Sequence, residues 1–119
     1  MSKSYDRDTA ALLIPLLMGI CNEISERSAS AHRVKRSIRT LESAAEGEPG
    51  AIEDLLNLRA ELANHRREIR HAREEIEALG CAFDESRSQR VLIPDENGNR
   101  TNGYAWDLGT DCLVEETVR

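Results

Sequence analysis

The tetrapeptide GEPG (residues 47–50) decides how this chain is read, because two long runs with the same apolar spacing flank it. Gly and Pro together stop a helix and turn the chain. Upstream, apolar residues step by four and three through Leu13, Leu17, Ile20, Ile24, Ala31, Val34, Ile38, Leu41 and Ala45, and only Arg27 breaks the series. Downstream the stepping resumes through Leu55, Leu58, Leu62, His65, Ile69, Ala72, Ile76 and Leu79, and Gly80 ends it. A repeat averaging about 3.5 residues keeps one stripe turned toward a partner helix, which is the coiled-coil pattern. So short a connection makes the two helices antiparallel neighbours. Counting outward from the turn sets Leu41 beside Leu55, Val34 beside Leu62, Ala31 beside His65 and Ile20 beside Ile76.

The two helices are unequal. Helix one is expected over 6–46 and helix two over 51–79, about 60 Å against about 44 Å. Asp6 is the expected N-cap, Tyr5 a staple for the first turn, and Pro15 predicts a kink near Ala11. The longer helix overhangs its neighbour at roughly residues 6–16. There ALLIPLLM (11–18) is apolar around most of the helix, which predicts burial on more than one face.

The covering material is expected from the chain after Gly80. CAFD (81–84), RVLIP (90–94), YAWDL (104–108) and CLVEETV (112–118) read as strands, with Asn97-Gly98 and Asn102-Gly103 turning the chain between the second and third. Phe83, Tyr104 and Trp106 are thus gathered into one small antiparallel sheet over 81–118, where they form a structural plug for the overhang. The expected fold is mainly α with an α+β character: a long, coiled-coil-like antiparallel helical hairpin with a small sheet at its open end. The 119 residues make one domain.

Bulk composition narrows the function classes. A net charge of −6 speaks against nucleic-acid binding, which depends on neutralising phosphates. Cys21, Cys81 and Cys112 form an odd, widely spaced set without a CxxC, as in a reduced cytoplasmic protein. The apolar run Ala10–Cys21 is shorter than the roughly 20 residues of a membrane span, and Asp6 and Asp8 offset the basic residues an export leader carries. Neither a membrane nor an export signal is therefore expected.

Candidate sites are few. His65 and Arg27 are the polar members of an apolar seam, within about a turn of each other across the hairpin, and one such layer usually sets register or partner choice. Residues 32–39 hold four Lys/Arg and no acid, and residues 59–73 hold five Arg and two Glu. Arg36, Arg39, Arg66, Arg70 and Arg73 are the interaction candidates of this band, facing solvent or an acidic protein partner. The loop DENGNRT (95–101) fails the calcium-loop pattern, with Arg100 at the position that requires Gly. No catalytic, cofactor-binding or metal-binding grouping emerges, and no cofactor is expected.

The order of features resembles a bacterial family known as domain of unknown function 2203. The likeness runs over nearly the whole chain and is carried by Tyr5, Leu13 with Pro15 and Leu16, Leu79-Gly80, Ile93-Pro94 and Trp106-Asp107-Leu108-Gly109. Members of that family typically carry a Cys before the tryptophan, an Asp in the preceding strand, a Glu after Leu-Gly, and a closing Trp-His with a Gly-Arg tail. The corresponding positions here are Ala105, Leu92, Thr110 and Glu115-Glu116, with the Trp-His and Gly-Arg tail missing. The resemblance implies the fold and weakens an enzymatic reading. The expected role is that of a non-catalytic structural or adaptor protein, a homodimer or higher oligomer or an accessory subunit. The alternative is a small-ligand or metal-binding protein using His65, Arg27 or the sheet.

Overall fold

The computed structural model describes residues 3–44, 50–84, 89–100, 103–110 and 113–115. Three helices precede four strands: α1 (Arg7–Leu12), α2 (Ile14–Ala44), α3 (Ala51–Ala78), β1 (Ala82–Phe83), β2 (Arg90–Ile93), β3 (Tyr104–Asp107) and β4 (Leu113–Glu115). The fold is mainly helical with a small antiparallel sheet toward the C-terminus, as the spacing implied. The GEPG turn lies mostly outside the described residues. Contacts divide the chain into two compact units, one built from Met1–Asn22 with Arg73–Arg119 and the other from Glu23–Ala72.

The first expected helix is in fact two. Asp6 caps α1 as anticipated: its carboxylate accepts from the Thr9 amide at 2.8 Å, and the Thr9 hydroxyl in turn accepts from the Asp6 amide at 3.0 Å. Pro15 has no amide hydrogen to give to Ala11, so the ladder cannot run through this point. The break falls at Leu13, whose amide reaches back only three residues to Ala10 O at 3.1 Å, two residues beyond the anticipated kink.

The unit holding the termini contains α1, the start of α2, the end of α3 and the sheet. The strands form an antiparallel meander in the order β1-β2-β3-β4, with Val91 opposite Trp106, Ile93 opposite Tyr104 and Trp106 opposite Leu113. Asp95 shapes the β2–β3 connection by accepting the Asn97 and Asn99 amides on one carboxylate oxygen, each at 2.9 Å. That makes residues 95–100 a polar loop. Among the described residues, Trp106, Leu17, Ile76, Ile93, Val91, Pro94 and Cys81 are the largest side chains fully withdrawn from water.

Trp106 is 0% exposed, and its indole nitrogen donates to Thr110 O at 2.8 Å. Tyr104 is buried and Phe83 half-buried. Ala10, Ile14 and Leu17 are buried in the same unit, yet Leu12 is 76% and Leu16 49% exposed. The expectation that ALLIPLLM is buried on more than one face is corrected here. Breaking the helix at Leu13 re-aims its faces, so one stripe enters the core and Leu12 and Leu16 face water.

Gly80 and Cys81 close α3 with paired bonds: the Gly80 amide donates to Glu77 O at 2.9 Å and the Cys81 amide to Ile76 O at 3.2 Å. This termination needs a left-handed residue, and Gly80 has φ +81°. Tyr5, expected to staple the first turn, sends its hydroxyl to Leu79 O at 2.7 Å, next to this cap.

The second unit is a pair of antiparallel helix segments. Ala31, Val34 and Ile38 of α2 are buried with Leu62 of α3, and Leu55 and Leu58 pack against them. Glu42 lies 3.8 Å from Arg59, and Arg27 meets His65, so rising numbers on α2 meet falling numbers on α3. The Val34–Leu62 pairing is the one counted out from the turn.

Candidate functional site

The polar layer of the second unit is the first candidate. Arg27 of α2 donates from Nη1 to His65 Nδ1 at 3.2 Å. A guanidinium only donates, so Nδ1 carries the lone pair and the ring proton sits on Nε2. Nε2 faces Glu61 at 3.7 Å, and the His65 side chain is only 12% exposed. Glu23 stands 4.0 Å from Arg27 one turn earlier on α2. The layer thus binds the two helices at a single height with complementary polarity, as a register device does. Replacing His65 by Ala leaves Arg27 without this acceptor and should cost about 1 kcal/mol in urea unfolding. Replacing both Arg27 and His65 by Leu should reverse the sign and raise Tm, because a continuous apolar seam is more stable though less specific.

The basic band is solvated. Arg36, Arg39, Arg66 and Arg70 are all exposed. Arg73 belongs instead with the other unit, where its guanidinium lies over the Phe83 ring at 5.5 Å. Such a cation–π contact contributes about 0.5–1 kcal/mol at an exposed site.

One pairing escaped the sequence reading. Arg90, 7% exposed, donates from Nε to Asp107 Oδ1 at 2.7 Å and from Nη2 to Oδ2 at 3.0 Å. The residues face each other across β2 and β3. The signal was present, since counting back from the hairpin loop places 90 opposite 107. It was obscured because a lone arginine before an apolar strand reads as an exposed edge residue. The bidentate fork locks the strand register at the end far from the loop.

The thiols are sheltered. Cys21 and Cys81 are buried and unpaired with each other, while Cys112 lies outside the described residues. Burial pushes the Cys81 thiol up to about 11, with Arg100 offsetting part of the shift, and burial also raises Cys21. Burial and the nearby Cys81 raise Tyr5 as well. A folded value above the ordinary 9.0 means that the thiol's contribution to stability is complete below pH 9 and is lost as pH climbs through 11. Denaturant titrations should therefore show stability falling between about pH 9 and 11, and the fall should be shallower in Cys81→Ala.

Two further observations bear on the earlier expectations. Among the described residues, no three His, Cys, Asp or Glu side chains gather closely enough to hold a metal ion. One helical stretch, Arg7–Ser43, is long and apolar enough to cross a membrane by length and composition. Only 28% of its most apolar window is buried inside the protein.

The chain belongs to the family described as uncharacterized conserved protein, domain of unknown function 2203, whose model matches residues 3–114. No curated protein and no solved structure matches it. Leu92 and Ala105 stand directly opposite each other on β2 and β3. Thr110 lends its carbonyl to the Trp106 indole.

Proposed function

We propose that this family member is a non-catalytic interaction module that works through helix–helix association, as a homo-oligomer or as an accessory subunit of a larger assembly. One observation carries the reading. Among the described residues the unit Glu23–Ala72 has two helix segments, packed along a seam of Ala31, Val34, Ile38 and Leu62. A helix pair buries one stripe per helix and leaves its flanks wet, so full burial calls for further helices. Ile52 at 75% and Leu56 at 60% exposure, one turn apart on α3, belong to those flanks.

The polar Arg27–His65 layer supports the same reading, since its use is to choose register and partner. The sheet supports a non-catalytic role, with Leu92 and Ala105 offering no proton-transfer group. Sheltered thiols accord with a reducing, cytoplasmic setting.

Light scattering on the size-fractionated protein at tens of micromolar tests the proposal. The expected result is at least twice the chain mass of 13.3 kDa. A strict monomer that brings no protein with it from native cells overturns the reading. Stoichiometric zinc or iron in the purified protein would favour the ligand-binding alternative instead.

A further inference from the structure

A groove of about 860 Å³ runs between α2 and α3 in the unit Glu23–Ala72. Its α2 wall carries Arg33 and Arg36, and its α3 wall carries Asp54 and Asn57. Leu41 and Leu58, both half-buried, are the apolar lining. Arg33 and Arg36 are exposed; Arg33 donates to the Ser30 hydroxyl at 2.9 Å, on its own helix. Among the described residues neither Arg36 nor Asp54 has an ion-pair partner. The groove therefore has two arginines on one wall and one aspartate on the other, with leucines between them.

We propose that this groove is the face on which a second copy of the chain docks. The inference rests on the association reading above and names its surface. Opposite charges on two antiparallel helices are what a two-fold axis can satisfy with itself. In such an interface residue i touches residue j of the copy, and j touches i. Arg33 and Arg36 then meet the Asp54 of the second copy, and the reverse contact forms at the symmetric site. The half-buried Leu41 and Leu58 come together at the centre, giving the four-helix arrangement that two helices alone cannot achieve. A uniformly acidic partner fits less well, because it would set its charge against Asp54.

The opposite flank supplies the control. Ile52 and Leu56 lie on the other side of the Ala51–Leu55 seam from Asp54, by helix geometry. On that flank Arg59 already pairs with Glu42 at 3.8 Å.

Sedimentation equilibrium on five samples of the full chain tests the assignment: the unaltered chain, three variants and one mixture. R33E/R36E and D54R each place like charges across the two-fold and should be monomeric where the unaltered chain is dimeric. Mixed in equal amounts they should restore the dimer. The reversed basic wall of one variant then opposes the reversed acidic wall of the other, and the unaltered walls re-form the native pairing at the second site. I52S/L56S should remain dimeric. Helicity by circular dichroism verifies folding, and R36E with D54K repeats the test should either first variant lose helicity. If the unaltered chain is monomeric, this inference fails, and the association reading fails with it when the chain also brings no protein with it from native cells. If it is dimeric but the charge variants stay dimeric, their mixture stays monomeric, or only I52S/L56S dissociates, the groove assignment fails and the association reading stands.

Discussion

Trp106→Ala is expected to cost about 3–5 kcal/mol, the largest loss from any single truncation in the sheet unit. The indole has no exposure at all, and it sits on β3 between two paired strands, opposite Val91 on β2 and Leu113 on β4. Its removal forfeits the transfer energy of the largest side chain in the chain and opens a cavity that paired strands cannot collapse to fill. The lost donor to Thr110 O is a smaller part of the cost, about 1 kcal/mol. Trp106→Phe separates the two contributions, since it keeps most of the volume and drops the donor. Urea unfolding followed by circular dichroism reads both. A Trp106→Ala loss below about 1.5 kcal/mol would show that the indole does not close this core.

Gly103→Ala is expected to have a comparable effect for a different reason. A Cβ at this position meets the carbonyl oxygen of Ile93 at a separation no real contact shows, and lies 2.7 Å from Asn99 O and 3.0 Å from Asp95 N. All three are backbone atoms of β2 and the loop that follows it, so no side chain can rotate away. The strand end or the loop must move, which disturbs the Asp95–Asn99 pairing that shapes the hairpin. A loss of about 3 kcal/mol or more follows if that pairing breaks, in the range of overpacking that a core cannot absorb. Gly109→Ala is the matching control: it has a positive φ of 89° but nothing within 4 Å of its Cβ, so it carries only the backbone cost of about 1–2 kcal/mol. A Gly103→Ala protein as stable as Gly109→Ala would mean that close approach is not what requires glycine there.

The helices and their partnership were legible because apolar spacing is a local record of a long-range contact. Val34 and Leu62 could be paired on paper once the turn was placed. The same count set Ala31 beside His65 and Arg27 only within about a turn of it, and packing brought Arg27 to His65. The pairing of β2 with β3 was legible from turn chemistry, since Asn97-Gly98 and Asn102-Gly103 turn the chain between them. The Leu13 break was readable in kind from Pro15 but not in place, because the ladder can be interrupted anywhere between the missing donor and its orphaned carbonyl.

Residue types and their spacing thus determined, without coordinates, a helix pair with one polar layer and a tryptophan held inside a small sheet. Those features depend on patterns a few residues long. Tertiary structure alone decided that Leu12 and Leu16 face water while Leu17 does not, that Arg90 is buried against Asp107, and that Arg33 and Arg36 share a groove with Asp54. Each of these depends on the angle at which one element meets another. A one-dimensional pattern names the face of a helix but leaves its rotation against the neighbour to packing.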